Sequence, residues 1–286
     1  METIVQILAR ELGRKEAHVQ NVVTLLDEGN TIPFIARYRK EMHGTMDDTT
    51  LRTLADRLTY LRSLDKRREE VKASIEGQGK LTEALSAAID AAATLAEVED
   101  LYRPYKPKRR TRATIAREKG LEPLAQLLFA QGRDCPAPET AAADYVNPEK
   151  GVNSVEEALS GASDIIAEAV SDDANLRKRL RELWRSKGSL VSKAADKEPE
   201  DTVYRLYYDF TTPVSRAMGH QILAINRGER EGVLKVSVEM DREAALIVVR
   251  RAVLAPGAPS MSFVRAAAED AYDRLIAPSI EREIRN

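Results

Sequence analysis

Between Leu51 and Val71, leucines and one valine recur at three-, four- and seven-residue spacings: Leu51, Leu54, Leu58, Leu61, Leu64 and Val71. That period belongs to an α-helix with one face buried, not to a strand. Asp47, Asp48, Thr49 and Thr50 stand in front of it. Side chains of this kind accept hydrogen bonds from the free amides of a first helical turn. Gly77 and Gly79 break the pattern, so one long helix is expected over about 51–76. A helix with an apolar stripe of this length needs other elements to cover it, and the rest of the chain has to supply them.

Most of what it supplies is also helical. Ile4, Ile7, Leu8 and Leu12 give one short helix, ended by Gly13. Val19, Val22, Val23 and Leu26 give a second, over Lys15 to Asp27. The pair reads as a helical hairpin. It is either a DNA-reading helix-turn-helix or a packed pair, and no cluster of base-reading side chains lies on its second helix. Asn30 to Gly44 reads as a helix with Pro33 in its first turn and with Phe34, Ile35 and Tyr38 on an apolar side. Leu81 to Ala93 is another helix. Thr94 with Glu97, and Ser154 with Glu157, are capping boxes that open helices to Tyr102 and to Val170. Asp172 and Asp173 cap a continuation through Trp184. Leu121–Ala130, Pro138–Tyr145, Ile222–Asn226, Asp241–Val249 and Met261–Ile276 complete the helical set.

Strands are few. Leu234, Val236 and Val238 alternate with Lys235, Ser237 and Glu239. Ser189 to Lys193 is a second candidate, and Thr202 to Phe210 reads as helix or strand. Arg227-Gly228 and Glu231-Gly232 read as turns. The expected fold is mainly α: a multi-helix array with helix-turn-helix-like pairs and one or two minor β-strands. A boundary is drawn near residue 195, giving an N-terminal helical domain over 1–195 and a second helical segment over 196–286. Ser279 begins a further helix that the chain leaves after a turn or two, which reads as a truncation or a frayed end.

Function classes are narrowed mainly by what is missing. The single cysteine, Cys135, allows no internal disulfide and no thiolate cage, which fits a reducing cytoplasm. His18, His43 and His220 show no metal-ligand spacing, and there is no phosphate-cradling glycine loop. No carboxylate pair or nucleophile set stands out. We therefore expect no catalytic residues, no metal, no cofactor and no enzymatic activity. The N-terminus lacks the basic and apolar regions of a signal peptide, and no run of about eighteen apolar residues reaches membrane length.

One stretch does carry a functional signal. Arg103 to Lys119 holds eight basic residues and one acid, Glu118, although the chain as a whole has net charge −2. Pro104 and Pro107 keep its first part from being a plain helix. From Asp134 to Asp173 the balance reverses, with ten acids and only Lys150 against them. Arg103, Lys106, Lys108, Arg109, Arg110 and Arg112 are candidate phosphate contacts, and Tyr102 and Tyr105 are candidate base-stacking rings. The alternative is that the segment ties helical layers together, its cations paired with the acidic belt or with another domain. Arg37, Arg39 and Lys40 form a second basic cluster and are further candidate nucleic-acid contacts, with a structural role as the alternative. On one continuous helix 37 and 40 share a face and 39 diverges, and Phe34 and Tyr38 belong to the core.

Three segments carry a family resemblance: NTIPFIARYRKEMHG, LYRPYKPKRRTRATIAREKGLEPLA and LAINRGEREGVL. In this order they resemble the N-terminal region of the bacterial Tex family of RNA-binding transcription accessory proteins. The resemblance runs over essentially the whole chain but only over the first part of the family's architecture. It implies later RNase H-like, helix-hairpin-helix and OB-fold domains, none of them in these residues, with the OB-fold as the family's main RNA-binding surface. Gln221 follows His220 where the family carries arginine, so a guanidinium there would have to come from Arg216 or Arg227. The resemblance implies a nucleic-acid partner, RNA rather than DNA, with the transcription or translation machinery as further partners. The other reading is a non-binding scaffold for the later domains.

Overall fold

The computed structural model describes residues 2–107, 109–196 and 202–285. Packing divides the chain into two units, Met1–Tyr102 and Arg103–Asn286.

The first unit is entirely helical among its described residues. Helices α1 (Ile4–Leu12) and α2 (Glu16–Asp27) form the expected hairpin, with Gly13 as the left-handed cap between them. Then come α3 (Ile32–Tyr38), α4 (Lys40–His43) and the long α5 (Asp48–Glu76), capped by the Asp47 carboxylate on the Thr50 amide. Leu51, Leu54, Leu58 and Leu61 of α5 meet Leu8, Val19, Val22 and Ile35 in one core. The exposed side of α2 carries Glu16, Gln20, Thr24 and Asp27. Beyond Leu64, α5 is covered by α6 (Glu83–Ala91) and α7 (Leu95–Tyr102). The cations of α5 do not simply face water. Arg57 grips Glu11 through two bonds of 2.8 Å, Arg62 reaches Asp27 at 2.7 Å, and Lys72 reaches Asp90 at 2.9 Å.

The second unit is built around α11 (Val155–Ser171). Before it come α8 (Arg112–Glu118), α9 (Glu122–Phe129) and α10 (Pro138–Ala143), and α12 (Ala174–Lys187) follows. Ala158, Ala162, Ile165 and Ile166 of α11 are buried against Ala113, Ala116, Leu121 and Leu124. At Gly161 a Cβ would lie 2.4 Å from Leu121 Cδ1 and 3.2 Å from Ala116 Cβ. A side chain there would have to displace Leu121 and crowd Ala116 of α8.

A three-stranded antiparallel sheet follows, in the order β2-β1-β3, from β1 (Ser189–Ala194), β2 (Asp209–Pro213) and β3 (Leu234–Glu239). It spans the boundary expected near residue 195, and its strands on both sides belong to the same packing unit. Thr202 to Phe210 resolves into a short 3-10 turn over Arg205–Tyr207 and the start of β2.

Two local expectations need correcting. Arg227-Gly228 is not a turn: it lies inside α13 (Gly219–Arg230). A Cβ on Gly228 would meet Leu234 Cδ1 at 2.6 Å and the Tyr204 ring at 3.1 Å, so the glycine allows the helix to lie against β3. Only Gly232, at φ +75°, turns the chain. The final helices are also continuous. After α14 (Arg242–Val253), α15 (Met261–Asp270) runs through a π-helical turn over Ala271–Ile276 into α16 (Ala277–Arg285). Pro278 has no amide to donate, and the wider turn just before it takes up that disruption within the helix.

α16 is held by charge. Arg177, fully buried, donates to Ser279 at 2.8 Å and to Glu283 at 3.0 Å, and Arg181 donates to Glu283 at 2.8 Å. Glu281 accepts from the Val238 amide, and Arg285 donates to the Val236 carbonyl, so α16 also seals the outer edge of β3. Burial pushes the Glu283 carboxyl up, but the hydrogen bond and charge of Arg181, with the charge of Arg177, outweigh it and hold the pKa below the ordinary value.

Two outcomes follow for stability. Gly→Ala in a helix interior normally stabilises, yet Gly161→Ala should cost about 1–3 kcal/mol in urea unfolding, because overpacking outweighs propensity. Glu283→Ala should cost about 3 kcal/mol, the low end for a broken buried pair, since Arg177 has other interactions. A carboxyl with a lowered folded pKa stabilises above its unfolded pKa and loses that contribution as pH falls through the folded value. Glu283→Gln should therefore flatten the corresponding part of the acid limb of a stability–pH curve.

Candidate nucleic-acid interface

The basic stretch meets the packing boundary at its first residues, so its two tyrosines fare differently. Tyr102 closes α7 and is only 8% exposed. Its hydroxyl lies 2.9 Å from Ser74 Oγ, and the Arg67 guanidinium sits 5.5 Å over its ring. This ring is spent on the α5–α7 contact and offers no face to a base. Tyr105 is half-buried. Sequence spacing does not separate these two positions, because both tyrosines flank a proline among cations.

From Arg103 to Thr111 the described residues are non-helical, in keeping with the two prolines. Arg103 is half-buried; Lys106, Arg109 and Arg110 are exposed. Lys108 lies outside the described residues. Arg110 pairs with Glu118 at 3.0 Å, with both side chains more than half exposed. Such a pair is worth little in water and exchanges readily for another anion.

The second half of the stretch is helical. Thr111 accepts from the Thr114 amide at 3.0 Å and opens α8, which carries Arg112 and Arg117. Small residues Ala113 and Ala116 turn inward, which holds α8 close to α11. Glu168 of α11 then accepts from Thr111 Oγ1 at 3.0 Å and from Arg117 Nη1 at 2.8 Å. Lys119 donates to the Gly151 carbonyl at 2.7 Å. Part of the acidic belt thus docks the basic stretch itself. Asp134, Glu139, Asp144, Glu149, Glu156, Glu157 and Asp173 remain exposed. Arg112 is exposed at the edge of a shallow groove that it shares with Lys119, Glu157, Ser160 and Asp164. Burial pushes the Asp164 carboxyl up, against the charges of Arg274 and Arg112.

The cluster at Arg37, Arg39 and Lys40 has a geometry that the sequence reading missed. Asn30 to Gly44 is not one helix. The chain breaks at Arg39 (φ −131°, ψ 34°), between α3 and α4, so a shared face for 37 and 40 cannot be read from helical spacing. Tyr38 is not in the core: it ends α3 and is 59% exposed. Its ring lies 5.2 Å from that of Phe34, inclined at 46°, and the Arg39 guanidinium lies 5.4 Å over Phe34. Arg37 and Lys40 are exposed.

Among the described residues there is no cluster of three metal-ligating side chains and no helix long and apolar enough to cross a membrane. His43 is buried on α4, and Cys135 is buried as a free thiol.

The anchoring role of Glu168 gives a measurable outcome. Glu168→Ala should destabilise the chain by about 1–3 kcal/mol, through two lost hydrogen bonds to its carboxylate, one of them from a guanidinium. Amide exchange at Thr114 should speed up if α8 loosens, whereas a merely solvated Glu168 would leave both quantities unchanged.

Two family models match the chain: the Tex-like protein N-terminal domain over residues 2–76 and the Tex central region-like model over residues 134–286. The Bacillus subtilis protein YdcI is 43% identical over 284 residues, covering 98% of this chain and 39% of that protein. The transcriptional accessory protein Tex of Neisseria gonorrhoeae is 44% identical over 238 residues, covering 82% of this chain and 31% of its own length. The human S1 RNA-binding domain-containing protein 1 is 30% identical over 298 residues, covering 99% of this chain and 29% of that protein. The chain spans less than two-fifths of the length of these relatives. With both family models placed in order along it, the chain belongs to the Tex family.

Proposed function

We propose that this chain is the N-terminal and central helical part of a transcription accessory protein, that it is not itself an enzyme, and that it contacts nucleic acid, RNA rather than DNA. Lys106, Arg109, Arg110 and Arg112 make the phosphate contacts in this reading. The observation that carries it is the placement of these cations. They are exposed on and beside an irregular segment whose following helix is anchored by Glu168. An anchored base with a cationic, solvent-facing run suits a phosphate backbone, which binds by charge and releases counterions. Names of relatives support the class: one is a transcriptional accessory protein and another carries an S1 RNA-binding domain. A cytoplasmic location and contacts with the transcription or translation machinery belong to the same reading.

A second reading has an observation of its own. Thr111, Arg117 and Lys119 are all committed to internal acceptors, as in a scaffold whose cations serve folding. The two readings separate in one titration of labelled single-stranded RNA, followed by anisotropy at several salt concentrations. If about four phosphates are engaged, log affinity should fall on log salt with a slope of roughly −3. The variant with Lys106, Arg109, Arg110 and Arg112 all changed to Ala should bind at least tenfold more weakly, with a flatter slope. RNA binding that this variant leaves intact, or no binding at low salt, would favour the scaffold.

A further inference from the structure

Phe34, Tyr38 and Arg39 gather at the break between α3 and α4, and Tyr38 stands outside the core. The unit has an aliphatic core a few residues away, where Ile35 is fully buried. A large aromatic left 59% exposed at the end of a helix forgoes that burial. Its ring lies against the Phe34 ring, and the Arg39 guanidinium also lies over Phe34. The result is a short surface row of two rings and a planar cation.

Among the described residues, the cations around this row are also left without ion pairs, whereas many arginines of the unit are paired. Arg10, Arg52, Arg57, Arg62, Arg67 and Arg68 all sit in ion pairs with carboxylates. Among the described residues, Arg37, Arg39 and Lys40 have no carboxylate within ion-pair distance, although Glu41 is their sequence neighbour. Arg37 and Lys40 are exposed beside the exposed Tyr38 ring, as Arg14, Lys15 and Lys80 are exposed elsewhere in the unit, while Arg39 is half-buried and donates to the Tyr38 carbonyl at 3.4 Å.

We propose that Phe34, Tyr38 and Arg39 form a stacking platform for unpaired bases, with Arg37 and Lys40 holding the adjoining phosphates. The inference rests on the reading of the chain as a nucleic-acid binder and assigns it a second site, of different chemistry from the cationic segment at Lys106–Arg112. Rings and a guanidinium plane accept any base with a free face, so the ligand class is single-stranded nucleic acid with little sequence preference. A duplex presents no such face, because its bases already stack on one another. Arg37 and Lys40 add a salt-dependent contribution that the rings do not.

The test uses the whole chain with labelled oligoadenylate, followed by anisotropy, and with the matched RNA duplex. Tyr38→Ala should weaken oligoadenylate binding about tenfold. Tyr38→Phe keeps the ring and should bind as the parent does. Changing Arg37 and Lys40 together to Ala should flatten the salt dependence by a slope of about 1. Tyr38 is exposed, so its variants should melt with the parent, and a circular-dichroism melt checks this. Equal loss in Tyr38→Phe and Tyr38→Ala overturns stacking, because the hydroxyl would then be the contact. Oligoadenylate binding that Tyr38→Ala leaves unchanged overturns the platform alone, and the reading based on Lys106–Arg112 survives. Tighter binding of the duplex than of the single strand overturns the platform too. No RNA binding by the parent chain overturns both.

Discussion

The close approach of α8 to α11 governs what the second unit can display. Ala113 and Ala116 on one helix and Gly161 on the other leave no room for larger groups. At that separation Thr111 and Arg117 reach Glu168, which lies one face away on α11. The rest of the basic segment is thereby set. Its second half is fixed to the acidic helix by these bonds, while Lys106, Arg109 and Arg110, in the part that carries Pro104 and Pro107, are exposed. A bulkier contact would widen the gap and break the Glu168 bonds, and the exposed cations would lose their support. Side-chain size at a helix contact thus sets the electrostatics of a surface segment that lies outside it.

Charge is used in three ways along this chain. Deep in the second unit, Arg177 and Arg181 converge on Glu283, where burial makes each partner depend on the other. Nearer the surface, Glu11, Asp27 and the half-buried Glu168 each tie one helix to another through an arginine. At the surface, Arg37, Lys40 and Arg109 are exposed among the described residues. The net charge of −2 averages over all three and reports none of them. What distinguishes a ligand-facing cation from a structural one is its distance from a carboxylate, which depends on tertiary packing.

The same distinction explains what was legible in the sequence. α5, α11 and α12 could be read from apolar period and capping chemistry, because those signals act within a turn or two of the chain. Asp47, Ser154 and Asp173 cap the helices they precede. The mainly α class follows from the same signals. Gly228 was misleading because a glycine looks alike in a turn and at a tight helix–strand contact; only Leu234 and Tyr204, distant in sequence, tell them apart. Tyr102 and Tyr38 exchanged places for a similar reason. Each ends a short helix beside cations, but Tyr102 has Ser74 and Arg67 of α5 to pack on, whereas Tyr38 has only Phe34, one turn back on its own helix. Burial of an aromatic is decided by the partner helix, and the periodicity of its own helix carries no information about that partner.

The two proposed surfaces differ in physical character. The run from Lys106 to Arg112 is cationic and, among its described residues, has no exposed large ring, so its attraction for a phosphate chain is mostly counterion release and decays steeply with salt. The Phe34–Tyr38–Arg39 row gains from stacking, which salt hardly touches, and only its flanking Arg37 and Lys40 add a screened component. At low ionic strength the first dominates; as salt rises, the second carries a growing share of whatever affinity remains. A protein that combines both contacts keeps hold of an unpaired strand over a wider range of salt than either contact does alone, and discriminates against duplex most strongly where the charge contribution has faded.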